Sequence, residues 1–348
     1  MRERRRIVEE WEKGDSSALV TLVRTEGSSY RRAGARLLIE QNGASVGAIS
    51  GGCLEAEVVR RSRWTIRNGA TVERISTTFE DTSEIPYGLG CGGTLNLLIE
   101  PMNTPESQAL LEAMRDSLNG SRRNVVTWLP DAKRPLCRII FDDSGRKLFA
   151  SSDQRMDNDV FDEWLEPPQR LFLFGAGDDA QPMAELAALL GWRITVIDGR
   201  SQLARRERFP AADEVLAVDT LEENMIGHED AVILMTHSYE QDRAWLTAML
   251  SHQPRYLGIL GSRHRSSLIV SEAAAMRGWT LDRACQNLFA PIGLDIGGDG
   301  AEAIALAAIA EIQACCEGKL GYSRRMTPAM IMEQIALGGS SLYLQCAR

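Results

Sequence analysis

Two cysteines set among glycines are the residues whose types and spacing point most directly to chemistry. The first stands in Gly47-Ala48-Ile49-Ser50-Gly51-Gly52-Cys53-Leu54-Glu55, which reads as a strand, a glycine turn and a helix starting near Cys53. A thiol at a helix N-terminus is biased toward thiolate by the helix dipole, and the same N-terminus suits an anion. A small cysteine packed beside glycine is the plain structural alternative. The second stands in Gly88-Leu89-Gly90-Cys91-Gly92-Gly93, just ahead of a strand. So much glycine implies unusual backbone angles or a closely approaching ligand, or else a tight structural turn. Two such thiols suggest a site that handles sulfur, a soft metal or a redox-sensitive ligand. The segment Gly27-Ser28-Ser29-Tyr30-Arg31-Arg32-Ala33-Gly34 offers hydroxyls, backbone donors and two arginines, a set able to hold phosphate or to be a solvated loop.

A second group of candidates follows Arg170–Phe174 (RLFLF). Gly175-Ala176-Gly177-Asp178-Asp179-Ala180 fits the dinucleotide fingerprint with alanine in the third glycine place. The first glycine permits the tight turn, the second lets backbone approach a phosphate, and the helix N-terminus supplies N–H donors. Asp198 ends the next strand, where a ribose hydroxyl would sit. NAD(P) or another nucleotide is therefore a candidate ligand, and an NAD(P)-dependent oxidoreductase or a nucleotide-sensing regulatory protein are the alternative functions, although Asp178 and Asp179 put negative charge beside the supposed pyrophosphate. His237, after the strand Ala231–Thr236, could act as acid/base or as a hydrogen-bond partner. Gly261, Ser262 and Arg263 close another strand with a glycine turn and a helix start suited to an anion. Pro291–Asp299 reads as a turn-rich loop before the last helix. No Ser-His-Asp order, paired-carboxylate motif, Walker loop or H-E-x-x-H is present, so hydrolase chemistry has no positive support.

The elements that must position these residues follow from the hydrophobic pattern. The first part reads as mixed α/β: strands at Ala18–Glu26, Arg36–Glu40, Val46–Ile49, Thr71–Thr78, Thr94–Pro101, Asn124–Leu129 and Cys137–Phe141, with helices at Leu54–Arg67 and Pro105–Leu118. Polar, acidic and proline-rich residues at 151–169 mark a boundary. Beyond it strands and helices alternate: Arg170–Phe174, Arg193–Ile197, Asp213–Val218, Ala231–Thr236 and Tyr256–Leu260, then a last apolar helix at Ala301–Cys316. That is the pattern of a doubly wound parallel sheet of Rossmann type. The expected division is a domain over 1–155, a second over 168–318, and a tail over 319–348 with a short helix from Thr327-Pro328.

The chain has 348 residues, enough for two cores without metal or disulfide support. Its net charge of −9 argues against broad nucleic-acid binding. Seven cysteines, no C-x-x-C and four histidines argue against a structural zinc site, and a reducing cytoplasm fits such thiols. No apolar run nears the ~18 residues that span a bilayer. The charged stretch Met1–Lys13 reads as a surface helix.

Taken together these segments resemble the XdhC/CoxI family, accessory proteins of xanthine dehydrogenase and related molybdenum hydroxylases. The resemblance rests on Arg24–Ser29, Gly51–Glu55, Gly88–Gly93, Ile99-Glu100-Pro101, Gly175–Gly177, Thr236-His237 with Asp242, Gly258–Arg263 and Pro291–Gly297, in matching order. Asp178 stands where the family often has His, Tyr30 where it often has Pro, and Gly298–Glu302 departs from the family's acidic, proline-containing helix start. The resemblance implies a non-enzymatic chaperone. It would bind the sulfurated molybdenum cofactor, shield it, and pass it to the apo-hydroxylase. It further implies a homodimer and, for some members, a cysteine desulfurase as partner. On this reading the glycine-thiol loops, with Glu55 among them, suit such cargo, and the expected site faces the boundary between the two domains.

Overall fold

The structure is a computed structural model that describes residues 1–52, 54–76, 93–152, 159–220 and 225–321. It has two compact units, the first Met1–Pro167 and the second beginning at Pro168.

Unit 1 opens with α1 (Arg2–Trp11) and the long β1 (Ser16–Glu26), followed by β2 (Arg36–Glu40), β3 (Ser45–Gly47) and α2 (Glu55–Thr65). Next come β4 (Thr71–Ser76), β5 (Thr94–Pro101) and α3 (Pro105–Leu118), and then β6 (Arg123–Trp128), β7 (Cys137–Asp142), β8 (Lys147–Ala150) and β9 (Val160–Leu165). They form an antiparallel sheet in the order β3-β2-β1-β5-β4 and another in the order β8-β7-β6-β9. β1 is buried on both faces because its side chains alternate. Leu19 packs with Ile7 of α1 and Leu110 and Met114 of α3. Val20 and Leu22 pack with Ile49, Leu54 and Val58 on the α2 side. The stretch read as a surface helix is thus α1, pinned by Ile7 and Val8.

Buried ion pairs tie the two sheets of unit 1 together, and the more deeply sealed joins β7 to β5. Arg138 of β7 donates to both carboxylate oxygens of Glu100 on β5, at 2.8 and 3.1 Å. It also donates to the Thr127 hydroxyl at 3.0 Å and to the Glu106 carbonyl at 2.7 Å. The fork of the guanidinium is used on three elements at once, as burial of such a charge requires.

Unit 2 holds β10 (Arg170–Phe174), α4 (Ala180–Leu189), β11 (Arg193–Ile197), β12 (Glu214–Leu216), β13 (Ala231–Leu234), α5 (Tyr239–His252) and β14 (Tyr256–Ile259). It continues with α6 (Arg263–Arg277), α7 (Leu281–Ala284), β15 (Leu288–Phe289) and α8 (Ala301–Cys316). All five strand pairings are parallel, in the order β12-β11-β10-β13-β14-β15. The RLFLF strand shows why helices cover both faces. Leu171 and Leu173 face α4 and α8, meeting Met183, Ala187, Ala308 and Ile312. Phe172 and Phe174 face α5 and α6, meeting Leu246, Met249 and Ile269. Each such side chain contributes about 1.5–3 kcal/mol by leaving water.

Several elements differ from the sequence reading. β8 and β9 were not expected; β9 pairs along its whole length with β6 and carries unit 1 beyond residue 155. The helix expected over Leu54–Arg67 is α2 followed by a single 3-10 turn at Ile66–Asn68. The end of the Thr71–Thr78 strand and the tail helix after Thr327 lie outside the described residues.

Candidate functional site

In unit 1 the β1–β5 ladder ends at the pair Glu26–Thr94, so the next residues, Gly27 and Gly93, are driven together. Gly93 sits so tightly that a Cβ on it would lie 2.1 Å from the Ser28 carbonyl oxygen. Only glycine tolerates that approach to fixed backbone. Gly27 makes the turn out of β1 with φ 74°. On the other side, the Tyr30 ring stands 3.5 Å from where a Cβ of Gly51 would be. The 27–30 loop therefore lies between the described flanks of both glycine-cysteine segments. Gly27, Ser28, Gly51 and Gly52 are exposed there. The Ser29 hydroxyl is turned back to the Arg31 carbonyl at 2.9 Å. Cys53, Gly90, Cys91 and Gly92 lie outside the described residues.

Glu55, at the first turn of α2, folds back over the 49–54 turn. Its carboxylate accepts from the backbone N–H of Ile49 (3.1 Å), Ser50 (2.8 Å) and Leu54 (3.2 Å) and from the Ser50 hydroxyl (2.7 Å). Burial alone would raise its pKa, but the Ser50 hydroxyl and these N–H groups outweigh it, so the carboxyl titrates below its usual value. The amide donors of this turn thus serve the protein's own anion. Sequence reasoning missed the role of Ser50, although it stands only five residues before Glu55.

In unit 2 the candidates gather along the carboxyl edge of the parallel sheet. Gly175 has φ 123°, and a Cβ there would stand 2.3 Å from the Met235 carbonyl oxygen at the end of β13, so this glycine is fixed by strand packing. A Cβ on Gly177 would instead meet the Asp179 carboxylate at 2.6 Å. The space over this second glycine, where a phosphate would approach, is bounded by Asp179 and the His237 ring. His237 has φ 62°, a costly conformation for a non-glycine residue, and its Nε2 lies 2.9 Å from Asp179 Oδ2. Asp179 Oδ1 is buried and has no hydrogen-bond partner among the described residues.

Asp198 ends β11 as expected but is fully engaged. It accepts from the Ala176 N–H at 2.8 Å and from the backbone N–H, Nε and Nη2 of Arg200 at 2.7–2.9 Å. Burial opposes its ionisation, yet the Arg200 and Ala176 bonds prevail and hold its pKa below the usual value. A ribose hydroxyl would have to displace Arg200 to reach it. Arg208, also missed by the sequence reading, donates to the Ala176 carbonyl at 2.6 Å and to Asp178 at 2.7 Å, offsetting the acidic pair.

Further along the edge, Asp242 is completely buried. It accepts from the Thr236 N–H and hydroxyl and, at 2.6 Å, from Arg265. This fixes the turn that presents His237. Gly261 has φ 151°, and Ser262 caps α6 by accepting from the Arg265 N–H at 3.3 Å. Arg263 is exposed at the first position of α6. The structure thus groups Gly175, Gly177, Asp198 and His237 closely. Gly261 joins them through the linked chain Thr236–Asp242–Arg265. Among the described residues there is no cluster of three or more metal-ligating side chains, and no helix is long and apolar enough to cross a membrane.

A six-stranded parallel sheet in this order, with a glycine turn at the switch point, defines unit 2 as a Rossmann-type domain. The family described as the XdhC Rossmann domain matches residues 171–312, and the one described as the XdhC and CoxI family matches residues 10–76. The chain belongs to the XdhC and CoxI family. It is 29% identical to a Bacillus subtilis protein described as a probable xanthine dehydrogenase subunit, over 86% of this chain and 92% of that one. It is 27% identical to the molybdenum cofactor insertion chaperone PaoD of Escherichia coli, over 86% of this chain and 83% of that one. A solved Bacillus halodurans structure described as a xanthine dehydrogenase superposes with a TM-score of 0.79 at 25% identity, covering 95% of this chain and 99% of that one.

Proposed function

We propose that this chain is an insertion chaperone that binds the molybdenum cofactor and delivers it, in sulfurated form, to the apo form of a xanthine dehydrogenase-type hydroxylase. The observation that carries the reading is the 27–30 loop, whose backbone closes on Gly93 while its Tyr30 ring lies against Gly51. Glycine-lined backbone can hold a pterin and its phosphate without committing a metal ligand. Similarity to PaoD supports the cargo, and similarity to the Bacillus subtilis protein supports the client class. Cys53 and Cys91 are proposed among the cofactor-binding residues, Cys53 to keep or relay the terminal sulfur. A cysteine desulfurase as the sulfur source and a homodimeric state complete the proposal. The alternative of an NAD(P)-dependent oxidoreductase asks Asp198 to release Arg200.

The test is anaerobic loading of the purified protein with molybdenum cofactor, with NADH and NADPH titrated in parallel. Pterin fluorescence after oxidation and molybdenum analysis should report stoichiometric co-elution, reduced at least tenfold in Cys53→Ala. Tight NAD(P)H binding without pterin would overturn the reading. Unchanged loading in Cys53→Ala would remove that thiol from the site.

A further inference from the structure

Unit 1 contains a cavity of about 410 Å³ whose walls hold four arginines. Arg4 comes from α1, Arg31 and Arg32 from the turn after the 27–30 loop, and Arg36 from the start of β2. The turn is fixed by Gly34, with φ 94° and its N–H bonded to the Leu22 carbonyl at 2.8 Å. Two carboxylates face these cations: Glu3 pairs with Arg31, and Glu163 pairs with Arg36. The Glu166 carboxylate is taken by Arg122, so Arg4 reaches only the Glu166 carbonyl and the Ser117 hydroxyl. Arg32 is exposed and makes no side-chain hydrogen bond or ion pair among the described residues. The cluster thus keeps a surplus of positive charge.

A second observation is independent of charge. Arg36 is 4% exposed, and its Nε–H has no hydrogen-bond partner among the described residues. Buried donors are normally matched by an acceptor. Crowding is also felt at Arg4, whose pKa is pulled down to about 10, first by burial and then by repulsion from Arg36. An anion in the cavity would relieve both. Ile7, Ala35 and Met114 complete the walls, so the space accepts an organic group as well as a charged head.

We propose that this cavity is a binding site for small phosphate monoesters, with the guanidinium groups of Arg4, Arg31, Arg32 and Arg36 holding the phosphate. Planar forks suit the oxygens of a phosphate dianion, and the volume lies in the range of small-molecule sites. The inference does not rest on the cargo reading, since it needs neither pterin nor metal.

The test is calorimetric titration of the full chain at low salt with phenyl phosphate, glycerol 3-phosphate and inorganic phosphate. Nucleotides are avoided because unit 2 offers a glycine loop of its own. We expect saturable binding of the esters, about tenfold weaker in Arg32→Ala and lost in the Arg31→Ala/Arg32→Ala double variant. Arg263→Ala, in unit 2, should bind as the unaltered protein does. A melting temperature unchanged in Arg32→Ala separates loss of the site from loss of the fold. The proposal is overturned if no ester binds, if inorganic phosphate alone binds, if the double variant binds normally, or if Arg263→Ala abolishes binding.

Discussion

Two arginine–carboxylate pairs with sealed carboxylates, one from each unit, do different work. In unit 1, Glu100 and Arg138 are both sealed, at 1% and 2% exposure, between two sheets and a helix. In unit 2, Asp242 is sealed at 0%, but Arg265 is 24% exposed and stands at the loop edge. The first pair has no access to a ligand and holds layers together. The second anchors the Thr236–Ser238 turn through its N–H and hydroxyl, and so sets where His237 points. The same chemistry joins the core in one unit and aims a loop in the other. Ile99-Glu100-Pro101 and Asp242 both stand among the residues that carry the family resemblance, yet only Asp242 lies near a candidate site.

The largest expected effect comes from breaking the sealed pair. Glu100→Ala leaves Arg138 charged and buried, and should destabilise unit 1 by about 3–5 kcal/mol, read from the urea midpoint. Asp242→Ala strands the Thr236 donors, but Arg265 can turn to water. Its cost should be smaller, about 2–3 kcal/mol, with faster hydrogen exchange at residues 236–238. Equal losses in the two variants would abolish the distinction between core and loop roles.

The smallest effect concerns acid. Glu55 and Asp198 both titrate below their ordinary values of 4.5 and 3.8. Their folded-state values being the lower, each contributes stability that is complete above the unfolded-chain value and is lost as pH falls through the folded one. Stability should therefore decline below about pH 4.5. Glu55→Gln should cost about 1 kcal/mol at neutral pH and flatten part of that acid limb, measured as urea midpoints from pH 7 to pH 3.

The parallel sheet was legible because RLFLF and the glycine turn sit next to each other, and local alternation decides such a strand. β9 was not, because VFDEWL mixes acids with apolar residues and its partner β6 is more than thirty residues away. Long-range partners also hid the Glu100–Arg138 pair and the arginine cavity, whose walls come from α1, a turn and β2. At the candidate site, sequence indicated the glycines and Asp198 as special. It gave no sign that Arg200 and Ala176 occupy the Asp198 carboxylate, since that depends on backbone geometry across the β11–β10 contact.

β1 also has a mechanical role. Eleven residues long and paired on both edges, it is wedged between two separate apolar clusters. The 27–30 loop projects from its end like a bracket bolted to a beam. The root of the loop is thereby fixed where the ladder ends, at the pair Glu26–Thr94. On the proposed reading, cargo at this loop would rest against a braced strand end rather than a free-standing turn.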